Sequence, residues 1–168
     1  YLVMQHIAKK LGHSDDEAEW RRREQAIVER VNELLWDDED RFYYDLDENG
    51  KPILVKTAAG LLALHGHIPD HDRAEALRTH LLSPAEFWPL FPVPTVACYE
   101  ESFATDLWRG CTWLNINLLL CYALEHYGFL EEALLLARTS VDEVARWYRR
   151  TGCIHECYDP FGQTMPPD

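Results

Sequence analysis

Asp106-Leu107-Trp108-Arg109-Gly110-Cys111-Thr112-Trp113-Leu114-Asn115-Ile116-Asn117 places two tryptophans, an arginine, a glycine and two amides just ahead of a long apolar segment. Two Trp side chains on a loop suit the gripping of a flat, partly apolar ligand. A sugar ring has that character: apolar C–H faces for stacking, and a rim of hydroxyls for Arg and Asn. A second cluster, Ile154-His155-Glu156-Cys157-Tyr158-Asp159-Pro160, supplies a carboxylate flanked by an aromatic and a tight turn. Together the two clusters point to a carbohydrate site, or part of one.

Outward from this stretch, nearly every long segment reads as helix. Residues 113–127 predict an apolar helix ended by Gly128. Residues 130–150 predict another, with acids at its start and Arg146, Arg149 and Arg150 at its end, as the helix dipole favours. Upstream, residues 83–107 form a long stretch containing Phe87-Trp88-Pro89-Leu90-Phe91-Pro92-Val93-Pro94. Loops of that length in compact domains are usually functional. Residues 57–64 predict a short apolar helix, and 69–82 an amphipathic one with Ala74, Leu77, Leu81 and Leu82 on one face. Tyr1 to Leu11 reads as a helix end stopped by Gly12-His13. Ser14-Asp15-Asp16-Glu17 has capping-box spacing and opens a helix to about Leu35. Its Arg21-Arg22-Arg23 run reads as a solvated face.

Residues 36–56 change rhythm. Phe42-Tyr43-Tyr44-Asp45-Leu46 and Pro52-Ile53-Leu54-Val55 flank Asp47-Glu48-Asn49-Gly50. Asn-Gly between apolar runs predicts a small β-hairpin inserted between helices. The expected class is all-α, with helices in pairs and long loops gathered at one end.

The 168 residues suffice for one domain with a real core, and 47% apolar content argues against disorder. The formal net charge of −13 disfavours nucleic acid, anionic membranes and polyanionic substrates. A neutral, polyhydroxylated substrate fits better. No apolar run approaches the ~20 residues of a membrane span, and Tyr1–Met4 is followed at once by Gln5, His6, Lys9 and Lys10, unlike a signal peptide. The chain starts inside a helical pattern and ends in Pro166-Pro167-Asp168 with no closing element, so it reads as incomplete. Five scattered cysteines are an odd count, which favours a reduced, cytoplasmic protein. The histidines 65, 67, 71 and 80 and the acids between Asp37 and Asp47 lack the spacing of known metal sites. Neither a metal nor a cofactor is expected.

Trp108-Arg109-Gly110-x-x-Trp113 with Asn115 and Asn117, then a helix ending in Tyr127-Gly128, resembles the Trp-Arg-Gly signature of glycoside hydrolase family 63. That family includes processing α-glucosidases and mannosylglycerate hydrolase-like bacterial enzymes. Glu156-Cys157-Tyr158-Asp159-Pro160 resembles its late Glu-x-Tyr-Asp-Pro motif, with Gly162 following. Pro94-Thr95-Val96 resembles the stretch ahead of the signature, and Leu35-Trp36-Asp37 with Phe42-Tyr43-Tyr44-Asp45 also looks like the family. The resemblance covers nearly the whole chain, so residues 1–168 are expected to form one partial catalytic domain. It implies an (α/α)6 toroid, helical hairpins closed into a ring with the sugar site at its mouth. The helices read here make about half of such a ring. Three departures stand out. Cys111 replaces the usual Pro, Cys157 replaces an aromatic or Asn, and no Gly-x-Asp-Asn-type segment, which looks like the source of the general acid, occurs in these residues.

Glycoside hydrolysis uses two carboxyl groups, about 6.5–9.5 Å apart in inverting enzymes. By resemblance Glu156 is the general base, expected to be rigid and partly desolvated. Trp108 and Trp113 would wall the subsite, Arg109 would bind hydroxyls or orient Glu156, Tyr158 would fix the base or stack, and Phe91 and Trp88 would line the outer pocket. Glu100, Glu101 and Asp106 are in-chain candidates for a second carboxylate, although solvated loop charge explains them. Three other readings remain. The first is a non-catalytic carbohydrate-binding or oligomerising module, completed by a second copy or by the missing half. The second is a sugar epimerase using His155, and the third a zinc site from Cys153, His155 and Cys157.

Overall fold

The computed structural model describes residues 1–164, so the Pro166-Pro167-Asp168 ending lies outside the described residues. The chain divides into two compact units, Tyr1–Trp36 and Asp37–Asp168.

The first unit is a helical hairpin of α1 (Leu2–Leu11) and α2 (Ser14–Leu34). Gly12, at φ 74°, closes α1, and the His13 N–H donates to the Ala8 carbonyl at 2.9 Å. Only a residue that tolerates the left-handed region makes this stop cheaply. The Tyr1 ring stacks on Trp20 at 5.8 Å. The expected capping box does not form. Ser14 is already the first helical residue, His13 flanks it, and no side chain caps the turn.

The second unit follows β1 (Trp36–Asp37), which spans the boundary. It contains β2 (Phe42–Tyr43), β3 (Asp45–Leu46), β4 (Pro52–Ile53), α3 (Ala58–Leu62), α4 (His71–Leu81), α5 (Leu114–His126) and α6 (Leu130–Thr151). The predicted hairpin exists, with Asp45 opposite Ile53 and Leu46 opposite Pro52. Its turn is not the two-residue Asn-Gly type. Asp47 organises a longer loop instead, its Oδ1 accepting from the Asn49 and Lys51 N–H groups at 2.8 Å each. Gly60 sits where an added Cβ would come within 2.4 Å of the Phe42 ring, so α3 lies hard against β2.

α5 and α6 form a second helical hairpin, turned at Gly128 with φ 83°. Leu136, Ser140, Glu143 and Trp147 form the buried stripe of α6, at helical spacing. Buried Asn117 on α5 donates to the Ser140 hydroxyl at 2.9 Å and to the Pro92 carbonyl at 3.2 Å. A different apolar stripe is uncovered. Leu118, Tyr122, Leu130, Leu134 and Val141 are exposed and line a groove of about 540 Å³.

Between α4 and α5 the chain makes long excursions, tied by isolated antiparallel bridges: Thr57 with Val96, Pro94 with Thr112, and Thr112 with Tyr158. These bridges gather the non-helical segments into one rim.

Candidate active site

Thr112 is where that rim closes. Its N–H donates to the Tyr158 carbonyl at 2.8 Å, and the Tyr158 N–H returns a bond to Thr112 O at 2.9 Å. The Thr112 hydroxyl donates to Phe91 O at 3.0 Å, and the Phe91 N–H donates to Pro160 O at 2.8 Å. The loop carrying Trp108 and Arg109 and the loop carrying Glu156 are thereby paired backbone to backbone. The two sequence clusters are thus neighbours along the rim.

The Trp108–Arg109 loop is a tight structure in its own right. Leu107 to Arg109 makes one turn of 3-10 helix, with Leu107 at φ 46°, a region that non-glycine residues rarely occupy. The Leu107 carbonyl accepts from the Trp113 indole N–H at 3.3 Å. A Cβ added at Gly110 would lie 2.6 Å from the Ala104 carbonyl oxygen and 2.7 Å from the Phe103 ring, so only glycine fits this position. The two indoles stack at 3.8 Å and 8°. Trp113 is 6% exposed whereas Trp108 is 53% exposed. One wall therefore exists: Trp113 backs Trp108, which offers its outer face to solvent.

Several expected contacts fall differently. Arg109 does not meet Glu156. Its guanidinium donates to Asp106 Oδ2 at 2.7 Å, with both groups in solvent. Glu156 is exposed, and it makes no hydrogen bond or ion pair among the described residues. The partly desolvated carboxylate is therefore not formed by this chain's own packing. Phe91 and Tyr158 cannot line a pocket, because both are fully buried with Trp147 in one aromatic core. Their rings approach to 5.1 Å and support the rim from beneath. Trp113 likewise has its stacking face covered by Trp108. Asn117 commits its amide NH2 to the Pro92 carbonyl and the Ser140 hydroxyl, while its buried Oδ1 has no partner; Asn115 is exposed, with its Oδ1 accepting from the Ile116 N–H at 2.9 Å.

The turn beyond Glu156 is built by Asp159. Its carboxylate is buried and accepts from the Phe161, Gln163 and Thr164 N–H groups and from the Thr164 hydroxyl, at 2.7–2.9 Å. Burial alone would raise its pKa. The four donors outweigh that and hold it below the usual carboxylate range. His155 packs against Trp147 and Tyr158 and bonds the Thr151 hydroxyl at 3.1 Å through Nε2. Cys153 is exposed and Cys157 is buried, so the two thiols and this imidazole do not converge as zinc ligands. Among the described residues no three His, Cys, Asp or Glu side chains gather closely enough to hold a metal ion.

A family model for the mannosylglycerate hydrolase MGH1-like glycoside hydrolase domain matches residues 2–164. The chain belongs to this family. It is 33% identical over 159 residues to a mannosylglycerate hydrolase of Rubrobacter radiotolerans, covering 92% of this chain and 34% of that protein. The crystal structure of a GH63 mannosylglycerate hydrolase from Thermus thermophilus in complex with Tris superposes with a TM-score of 0.76 at 31% identity. It covers 98% of this chain and 38% of that one. A second structure of that enzyme, in complex with Tris and D-glycerate, gives a TM-score of 0.74 at 33% identity, covering 97% of this chain and 38% of the other. The fold is thus all-α, of the (α/α)6 toroid type. The chain spans about a third of the length of these relatives.

One polar assembly of this chain went unread in the sequence. Lys56 is 6% exposed, and its Nζ lies 3.2 Å from Glu86 Oε1 and 4.0 Å from Asp40 Oδ1. Its backbone N–H donates to Glu100 Oε1 at 2.9 Å. His80 completes the group, with Nδ1 2.9 Å from Glu86 Oε2 and Nε2 2.9 Å from the Asp40 carbonyl. Burial would lower the Lys56 pKa, but Glu86 and Tyr99 outweigh it and raise the value. Glu100 is therefore a structural acceptor, and Asp106 is the partner of Arg109. Of the three in-chain carboxylates considered as a second acid, only exposed Glu101 is uncommitted among the described residues. The one trace of this assembly in the sequence is a Lys at the end of the apolar run Pro52-Ile53-Leu54-Val55.

Proposed function

We propose that this chain carries part of the active site of an inverting glycoside hydrolase acting on α-linked mannosyl or glucosyl substrates. The observation that carries the reading is the two-way backbone bond between Thr112 and Tyr158, which sets the Arg109 loop beside the Glu156 loop. The relatives add support: one is a mannosylglycerate hydrolase, and the Thermus thermophilus enzyme was crystallised in complex with D-glycerate.

Glu156 is the general base. Its carboxylate takes a proton from a water on the ring face opposite the leaving group, while a second carboxyl group protonates the glycosidic oxygen. The second group is assigned to sequence outside these residues, because no Gly-x-Asp-Asn-type segment occurs among them and Glu100 already accepts from the Lys56 N–H. Trp108 stacks on the apolar face of the sugar. Arg109 exchanges its solvent-exposed pairing with Asp106 for hydroxyls of the substrate, a change of small cost because exposed ion pairs contribute only about 0–1 kcal/mol. Further helices of the same domain would cover the exposed Leu118–Tyr122–Leu134 face and desolvate Glu156. The unpaired cysteines suit a reducing cytoplasm.

Assay of the complete open-reading-frame product on mannosylglycerate and on α-glucosides tests this. Turnover lost in Glu156→Gln, with inverted product configuration by NMR, is expected. Retained turnover in that variant overturns it. The 168-residue chain alone is expected to be inactive. The uncovered apolar groove favours one second reading, a non-catalytic binding or self-associating module. Sugar binding without turnover that survives Glu156→Gln would select it.

A further inference from the structure

Helix α6 carries two stripes at heptad spacing, and the fold of one chain uses only the first. Leu136, Ser140, Glu143 and Trp147 are buried against the chain's own core. Leu130, Leu134, Ala137, Val141, Val144 and Tyr148 form the second stripe, stepping 4-3-4-3-4 along the helix. Such a step is the pattern of helices that pack knobs into holes against another helix. Among the described residues this seam lies open. Leu134 is 72% and Val141 67% exposed, Leu130, Ala137 and Tyr148 are exposed, and Val144 is half-buried. Two grooves of about 540 and 360 Å³ run along it and share Leu114, Ser140 and Val141. Leu118 and Tyr122 of α5 form the opposite wall of the larger one. A contiguous exposed apolar patch of this kind marks an interaction site.

We propose that this seam joins α6 to the α6 of a second copy of the chain, antiparallel about a twofold axis, so that two α5–α6 hairpins make a four-helix bundle. The proposal deepens the self-associating part of the second reading above. Charge selects the direction. Glu131 and Glu132 stand at the start of α6, and Arg149 and Arg150 at its end. A parallel pairing would set acid against acid and arginine against arginine, whereas an antiparallel pairing sets acid against arginine. With the axis beside residue 139, Leu130 meets Tyr148 of the second copy, Leu134 meets Val144 and Ala137 meets Val141. All six seam positions then have apolar partners. In the same register exposed Glu131 comes near Arg149 of the second copy, and Arg138 near Asp142. Within one chain Arg138 and Asp142 touch loosely, at 3.9 Å and in solvent.

Residue size agrees with this register. Ala137, the smallest member of the seam, lies next to the axis, where a small side chain lets two helices approach closely. Leu118 and Tyr122 then flank the second copy's α6 and fill the larger groove. A twofold interface uses one patch twice, so each of these contacts is made twice. The competing occupant is a further helix of the same domain. Such a helix places no demand on α6 to complement itself, whereas the seam and its flanking charges complement themselves in one register.

The test is sedimentation equilibrium of the 168-residue chain over a dilution series. Expected is a mass near twice 19.6 kDa that falls towards 19.6 kDa on dilution. Val141→Asp and Leu134→Asp should each raise the dimer dissociation constant on the order of 100-fold, since every dimer would bury two unpaired carboxylates. Both positions are exposed in the single chain, so helix content by circular dichroism should stay unchanged. Glu131→Arg weakens the dimer, and adding Arg149→Glu restores it, a rescue that a parallel pairing does not give. A chain that stays at 19.6 kDa, a dimer that survives Val141→Asp, or a charge swap without rescue overturns the proposal. A monomeric complete open-reading-frame product overturns it too, and maleimide labelling at Val141→Cys in that product then tells a seam covered by further helices from a bare one. Mass is read without substrate, so glycoside turnover counts against the non-catalytic reading and not against the dimer.

Discussion

Lys56 and Glu156 lie on segments joined through the same run of bridges, yet their surroundings are opposite. Around Lys56, ammonium, carboxylates and imidazole each have partners and water is largely excluded. Around Glu156 the carboxylate and the nearby Arg109 stand in solvent, and the single tryptophan face is half-exposed. A polar group committed to neighbours holds the fold. One left without them at a rigid rim is available to a ligand, or to protein that later covers it. The difference separates scaffold from site more cleanly than residue type does.

Breaking the buried side should have the largest effect. Lys56→Met removes the cation facing Glu86 and Asp40, and should cost about 3 kcal/mol in urea unfolding. A loss below about 1 kcal/mol would mean that the group is solvated after all. Gly110→Ala forces a Cβ into the Ala104 carbonyl and should cost about 2–3 kcal/mol, with loss of the exciton band of the stacked indoles in circular dichroism.

Asp159→Asn replaces an acceptor oxygen by an NH2 facing donors, and should cost about 2 kcal/mol near neutral pH. The sign with pH follows from the lowered folded-state pKa of Asp159. Its contribution is present above the unfolded value of about 4 and fades as pH falls through the folded value. The variant's thermal midpoint should therefore fall less on acidification than the parent's. The smallest effect sharpens the contrast from the other side. Glu156→Gln and Arg109→Ala should each change unfolding free energy by no more than about 0.5 kcal/mol, although on the proposed mechanism both should stop turnover in the complete protein.

Sequence periodicity located the helices because α5 and α6 carry long apolar patterns ended by glycine. The hairpin was legible from Asn49-Gly50, but its turn type was not, since the Asp47 side chain captures two N–H groups that a two-residue turn would leave elsewhere. The capping box failed for a similar reason: spacing specifies candidates, and the register of the first turn decides. Aromatic residues were the weakest guides to the site. Trp108, Trp113, Phe91 and Tyr158 look alike in the sequence, yet only Trp108 faces outward, because the Thr112 bridges turn the others into the core. Beyond a Lys at the end of an apolar run, the Lys56 assembly left no trace, since its members come from separate segments that meet only in the folded chain.

Thr112 uses both backbone groups and its hydroxyl on two different segments, and the carbonyl of its neighbour Cys111 accepts from the Thr95 N–H at 3.2 Å. Insertions or deletions between residues 109 and 113 would throw all these pairings out of phase together. Length variation among homologues should therefore collect in the stretch 99–106, outside the bridged positions, leaving the spacing from the arginine to the second tryptophan constant.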